Sequence, residues 1–120
     1  MMDPATQYNL GPVAMIPPGE GRVFRIGCAD IAVFHSKAGD VYATQPQCPH
    51  RDGPLADGIT GSGHVVCPLH GYKFDLTSGR PVGNDCEALQ TYWAMVSDSG
   101  EILVSVSVDS NRIPEGRKPA

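Results

Sequence analysis

Two short segments, Cys48-Pro49-His50 and Cys67-Pro68-Leu69-His70, constrain this chain more than anything else in it. Each carries one cysteine and one histidine, each has proline directly after the cysteine, and 16 residues separate the pairs. Thiolate with imidazole is a soft-to-borderline donor set, suited to zinc or to an iron–sulfur cluster. Pro49 and Pro68 stiffen the turn after each cysteine. Gly71, next to His70, lets backbone approach closely. Any fold that uses all four side chains must bring two loops together.

The rest of the chain reads as short strands that could carry such loops. Runs rich in β-branched and aromatic residues predict strands at Val23–Ile26, Ile31–Phe34, Val41–Thr44, His64–Cys67, Tyr72–Asp75, Tyr92–Ser97 and Ile102–Val106. KAGD at 37–40 and DSG at 98–100 predict hairpin turns. PPGEGR at 17–22 forbids a helix there, and no window keeps a helical period. With 14 glycines and 11 prolines in 120 residues, turns should be many and long helices few. The expectation is an all-β antiparallel sandwich or small barrel. Residues 45–63 are expected to be mostly loop, and residues 108–120 a flexible polar tail.

Composition removes several classes of function. Hydrophobic residues make up 41% and charged residues 18%, the balance of a globular domain. A net charge of −4 without a basic patch argues against nucleic acid. No apolar run approaches the roughly 20 residues of a membrane helix. Met1-Met2-Asp3-Pro4 does not open a secretory signal, so the cytoplasm is the expected compartment. There, Cys/His pairs point to a metal site rather than to disulfides.

Two metal readings compete. Zinc sites with two cysteines and two histidines usually pair like with like along the chain, whereas both halves here are mixed. A Rieske centre holds one iron of a [2Fe–2S] unit by two cysteines and the other by two histidines. One mixed pair on each of two neighbouring loops supplies that set: Cys48, His50, Cys67 and His70, with one cluster per chain. Each histidine would bond iron through one ring nitrogen, leaving the other to face solvent or a partner.

The stretch QCPHRDGPLADGITGSGHVVCPLHGYKFDLTSG resembles a Rieske domain of the ferredoxin type. The likeness extends from IPPGEGRVF at 16–24 and IAVFHSKAGDVYAT at 31–44 to the last hairpin, about residues 8–107. It implies a domain over 1–107 with cluster-binding loops at about 45–80. Within that family, GPLADGI, CPLHGYKFDL and DCEALQTYWAMVSDSGEILV most resemble the small subunit of assimilatory NAD(P)H nitrite reductase. The resemblance therefore implies a one-electron carrier, with no catalytic residue of its own, that serves a large nitrite-reducing subunit. The alternative is a stand-alone ferredoxin that works with a reductase and a ring-hydroxylating dioxygenase. A purely structural cluster is the contrasting class, which a reversible redox titration would exclude.

Departures from the family sharpen the expectation. Respiratory Rieske proteins carry an extra disulfide at positions matching Gly53 and Leu69, which cannot form it. They also place serine and tyrosine hydroxyls, which bond cluster sulfurs, where this chain has Tyr72 and Phe74. Fewer such bonds imply a potential toward the low end of the Rieske range, about −150 mV. Oxygenase large subunits add a mononuclear iron domain, for which only His35 and His64 remain here. Those two histidines are expected at the surface and Trp93 in the core. Cys28 and Cys86 are expected to be plain thiols. Arg51 and Asp52 could dock a partner or simply be solvated, and Gly79 is expected to be a turn residue.

Overall fold

The computed structural model describes residues 6–26, 29–49, 53–61, 63–68 and 71–106. Residues 107 to 120, which include the expected tail at 108–120, lie outside the described residues, as do Cys28, His50, Arg51, Asp52, Leu69 and His70.

Among the described residues, ten strands form two antiparallel sheets. The larger has the order β1(Thr6–Pro12), β10(Glu101–Val106), β9(Thr91–Val96), β4(Val41–Thr44), β3(Ala29–His35), β2(Glu20–Ile26). The smaller runs β5(Ile59–Gly61), β6(His64–Val66), β7(Lys73–Asp75), β8(Pro81–Val82). The fold is all-β, as expected, and the only helical pieces among the described residues are 3₁₀ turns at Val13–Met15 and Leu55–Asp57. Among the described residues, no helix is long and apolar enough to cross a membrane.

Strand β3 shows why the chain needs two layers. Alternate strand residues point to opposite faces, and Ile31, Ala32, Val33, Phe34 and His35 are all buried. Ile31 and Val33 join Ile16, Val41, Ile102 and Val104 in one core. Ala32 and Phe34 enter a second core with Cys48, Leu55, Val65, Cys67, Phe74 and Leu89. The large sheet is therefore covered on the β3–β4 side by the small sheet and its loops. Gly21 pairs with Phe34, and a Cβ there would sit 2.8 Å from the Phe34 ring; the missing side chain leaves room for that ring. Thr60 Oγ1 donates to the Gly19 carbonyl at 2.9 Å, tying the small sheet to the large one.

Both expected turns are present. Ser36 N–H donates to the Asp40 carbonyl and Ser97 N–H to the Glu101 carbonyl, each at 2.8 Å. Gly39 and Gly100 take φ of 100° and 83° within them.

Among its described residues the segment 45–63 is mostly loop, as expected, with the 3₁₀ turn at Leu55–Asp57 and strand β5 inside it. Two expectations need correction. Trp93 is 48% exposed. Register explains it: Ala94 pairs with Val104 and Val96 with Ile102 on the inner face, which sends Trp93 outward beside Ser105. His35 is buried rather than superficial. It shares the inward parity of Ile31 and Val33, and its Nδ1 bonds the Ile16 carbonyl at 2.6 Å, so the polar ring is satisfied where it is buried.

Candidate metal centre

Strand β4 runs through Gln45–Gln47 into Cys48, and strand β6 ends one residue before Cys67. Both cysteines are buried, at 0% and 1% exposure, in the same core. The two loops close alike. Cys48 N–H donates to the Gly53 carbonyl and Cys67 N–H to the Tyr72 carbonyl, both at 2.8 Å, five positions on in each case. Gly71 N–H returns to the Cys67 carbonyl at 3.0 Å with φ of 75°, a backbone state that favours glycine. Leu55 N–H donates to the Pro46 carbonyl at 3.1 Å and braces the first loop from behind.

The structure thus brings together the two cysteines of the candidate ligand set, while His50 and His70 lie outside the described residues. Around the thiols stand Leu55, Phe74 and Leu89, all buried, with Tyr72 packed at the edge. This apolar wall disfavours water near the sulfurs. Phe74 is fully buried beside the cysteines and carries no hydroxyl. His64 is half-buried and opposes Asp75 across the small sheet.

A third wall escaped the sequence reading. The segment Gly83–Gln90 is pinned at both ends. Asn84 Nδ2 donates to the Lys73 carbonyl at 3.1 Å, and Leu89 N–H donates to the Gly79 carbonyl at 2.7 Å. A Cβ on Gly79 would collide with the Leu89 carbonyl oxygen, and its φ is +80°, so Gly79 is more than a turn residue. The signal available was the TSG turn followed by Leu89 in a mostly polar run, too short for periodicity to register.

Two titrating groups border the site. The Ser78 hydroxyl, donating to Asp75 Oδ2 at 2.7 Å, holds the Asp75 carboxyl below its ordinary value against the opposing effect of burial, with lesser help from the Ser78 and Thr77 backbone and from His64. Burial, then the nearby Cys67, pushes the Cys86 thiol up. Cys86 therefore stays a neutral thiol packed against the same core.

Two buried thiols in one apolar pocket, on loops closed in the same way, are donors that fit an iron–sulfur centre. The Rieske [2Fe-2S] domain family model matches residues 6–93. The chain belongs to the Rieske [2Fe–2S] domain family. Its cofactor is a [2Fe–2S] cluster and its role is that of a Rieske electron carrier.

The relatives divide by architecture. The 4beta-methylsterol monooxygenase of Methylococcus capsulatus is 40% identical over 60 residues, 50% of this chain but 16% of that protein. Against that relative the chain spans only a minor part of the length. Ferredoxin CarAc of Metapseudomonas resinovorans is 32% identical over 85 residues, 70% of this chain and 78% of that protein. Among solved structures, a putative NADH-dependent nitrite reductase small subunit from Mycobacterium tuberculosis superposes with a TM-score of 0.80 over 89% of this chain and 100% of that one. At 21% identity that match speaks for the fold alone. A second putative nitrite reductase small subunit is 27% identical over 82% of this chain and 97% of its own, with a TM-score of 0.72.

Proposed function

We propose that this Rieske carrier is the small subunit of an NAD(P)H-dependent nitrite reductase, delivering single electrons to a large subunit that reduces nitrite to ammonia. The observation that carries this reading is sequence likeness in GPLADGI, CPLHGYKFDL and the 85–104 segment. The 27% identity to a putative small subunit of matching length supports it. Cys48 and Cys67 would hold one iron and His50 and His70 the other. When bound, the cluster supplies reversible one-electron transfer.

The protein's own residues set the conditions for that exchange. The loop closures from Cys48 and Cys67 fix where the thiols stand. Leu55, Phe74 and Leu89 exclude water from them. Without a hydroxyl at Phe74, the site offers fewer donors to sulfur, which favours the oxidised state and a low potential. A low potential suits filling from a nicotinamide–flavin donor.

A second reading has its own support: ferredoxin CarAc is 32% identical over most of its length, which favours a free ferredoxin that feeds an oxygenase. Reconstitution separates the two. Nitrite-dependent NAD(P)H oxidation by a large nitrite reductase subunit should rise when the loaded chain is added. Stimulation of an oxygenase with its reductase, and none of the nitrite reaction, would overturn the first reading.

A further inference from the structure

Gly58 is a glycine that its own backbone does not require. Its φ and ψ are −78° and 173°, extended values that any residue adopts. Its neighbours require it instead. A Cβ built there would fall on the Val66 carbonyl oxygen, with the Leu55 carbonyl oxygen at 3.0 Å and Val65 Cγ2 at 3.2 Å. The two nearest obstacles are main chain, which cannot swing aside as the end of a side chain can. Val66 directly precedes Cys67 and pairs with Ile59 between β5 and β6.

The other end of the same turn touches the approach to Cys48. Pro54 bridges to Gln47, and Leu55 N–H donates to the Pro46 carbonyl. Gly53, at the start of the turn, accepts from the Cys48 N–H. Between the two ends, Asp57 N–H donates to the Pro54 carbonyl at 3.0 Å and Gly58 N–H to the Leu55 carbonyl at 2.8 Å. Residues 53–58 therefore form a short closed strut. One end rests on the residues around Cys48 and the other on the residue before Cys67, and every link is main chain. The strut is also seated on the large sheet, where the Ala56 carbonyl oxygen would lie 3.1 Å from a Cβ on Gly21 of β2.

We infer that Gly58 is a positioning residue for the cluster: with no side chain between the strut and Val66, it sets the separation of the Cys48 and Cys67 loops. The inference is independent of which protein takes the electron. Carbon and carbonyl oxygen settle at about 3.3 Å or more, so a side chain at Gly58 drives the strut and Val66 apart by on the order of an ångström. Cys67 then moves relative to Cys48. The electronic state of a cluster follows the placement of its ligands and of the donors around its sulfurs, so the centre itself registers that movement.

The test is electron paramagnetic resonance and voltammetry of the reduced, cluster-loaded chain, beside its melting temperature. Gly58→Ala should shift the g-values and the midpoint potential, and should speed iron loss to a chelator about tenfold or more. Gly61→Ala, at the far end of β5 where an added Cβ meets nothing within 4 Å, should match the wild type throughout. Val104→Ala removes a fully buried side chain from the other core; it should lower the melting temperature and leave g-values and potential in place. Pro54→Gly frees the strut at its exposed Cys48 end without adding an atom. It should broaden the g-lines, and it carries the test should Gly58→Ala load no cluster. Wild-type g-values and potential in Gly58→Ala, with only the melting temperature lowered, would overturn the positioning role. So would a wild-type line shape in Pro54→Gly, or an equal shift of g-values in Val104→Ala, since any loss of stability would then disturb the centre.

Discussion

Gly79→Ala, set against Gly83→Ala, separates backbone strain from close packing at the wall of the cluster site. Both glycines have positive φ, 80° and 76°, a region that costs an L-residue about 1–2 kcal/mol. At Gly83 an added Cβ meets nothing within 4 Å, so strain is its whole cost. At Gly79 the Cβ would fall on the Leu89 carbonyl oxygen and lie 3.1 Å from Thr91 Cγ2. Non-bonded carbon and oxygen settle at about 3.3 Å or more, so the Leu89 segment must retreat by on the order of an ångström. That movement breaks the 2.7 Å bond from Leu89 N–H to the Gly79 carbonyl. A buried bond lost without replacement costs about 1–3 kcal/mol. Gly79→Ala should therefore cost about 2–5 kcal/mol in all, against about 1–2 kcal/mol for Gly83→Ala. At roughly 4 °C per kcal/mol for a domain of this size, calorimetry of the loaded proteins at one scan rate should place Gly79→Ala about 4–12 °C below Gly83→Ala. Iron release should be faster in Gly79→Ala as well, since Leu89 walls the two cysteines. Equal melting losses in the two variants would refute the role given to the Gly79–Leu89 contact.

Other outcomes follow from the same geometry. Leu55→Ala removes a fully buried side chain from the core that holds Cys48 and Cys67; it should cost about 2–5 kcal/mol, read as a lower melting temperature with faster loss of cluster absorbance. Asp75 has its folded-state pKa depressed by Ser78, so that interaction contributes stability above the unfolded carboxylate value of about 4. The contribution is lost as pH falls through the depressed value; the stability difference between wild type and Ser78→Ala should shrink from pH 7 to pH 3, and a difference that grows would contradict the assignment. Voltammetry should give a midpoint near the low end of the Rieske range, about −150 mV, and a value well above zero would show that the missing hydroxyl at Phe74 does not govern the potential.

The parts of the fold that were legible are those with strong local signals. Strand β4 was expected over its full observed span, and β3 and β10 within a residue or two, because each is a run rich in β-branched and aromatic residues that borders a Gly-containing turn. Strand β1 was missed: its Asn9, Gly11 and Pro12 weaken the local pattern, and it is held by register with the distant β10. Strands β5 and β8 have three and two residues, too few for alternation to show. Trp93 was misjudged by residue type and His35 by its place at a strand end before a turn, when register parity decides both. At the site, the cysteine spacing disclosed the two loops. The Gly83–Gln90 wall is held by the Asn84 side chain, by a backbone bond from Leu89 and by its close approach to Gly79, a residue that in sequence reads only as a turn.

The most direct test of a one-electron Rieske carrier is analysis of protein made anaerobically with ample iron and with ¹⁵N-labelled histidine. The account predicts two irons and two acid-labile sulfides per chain, one electron taken up in a reversible titration, and two histidine nitrogens coupled to the reduced centre by pulsed magnetic resonance. Substituting His50 or His70 should remove one coupled nitrogen or the cluster itself. One zinc per chain without sulfide, or a centre with no coupled histidine nitrogen, would contradict it.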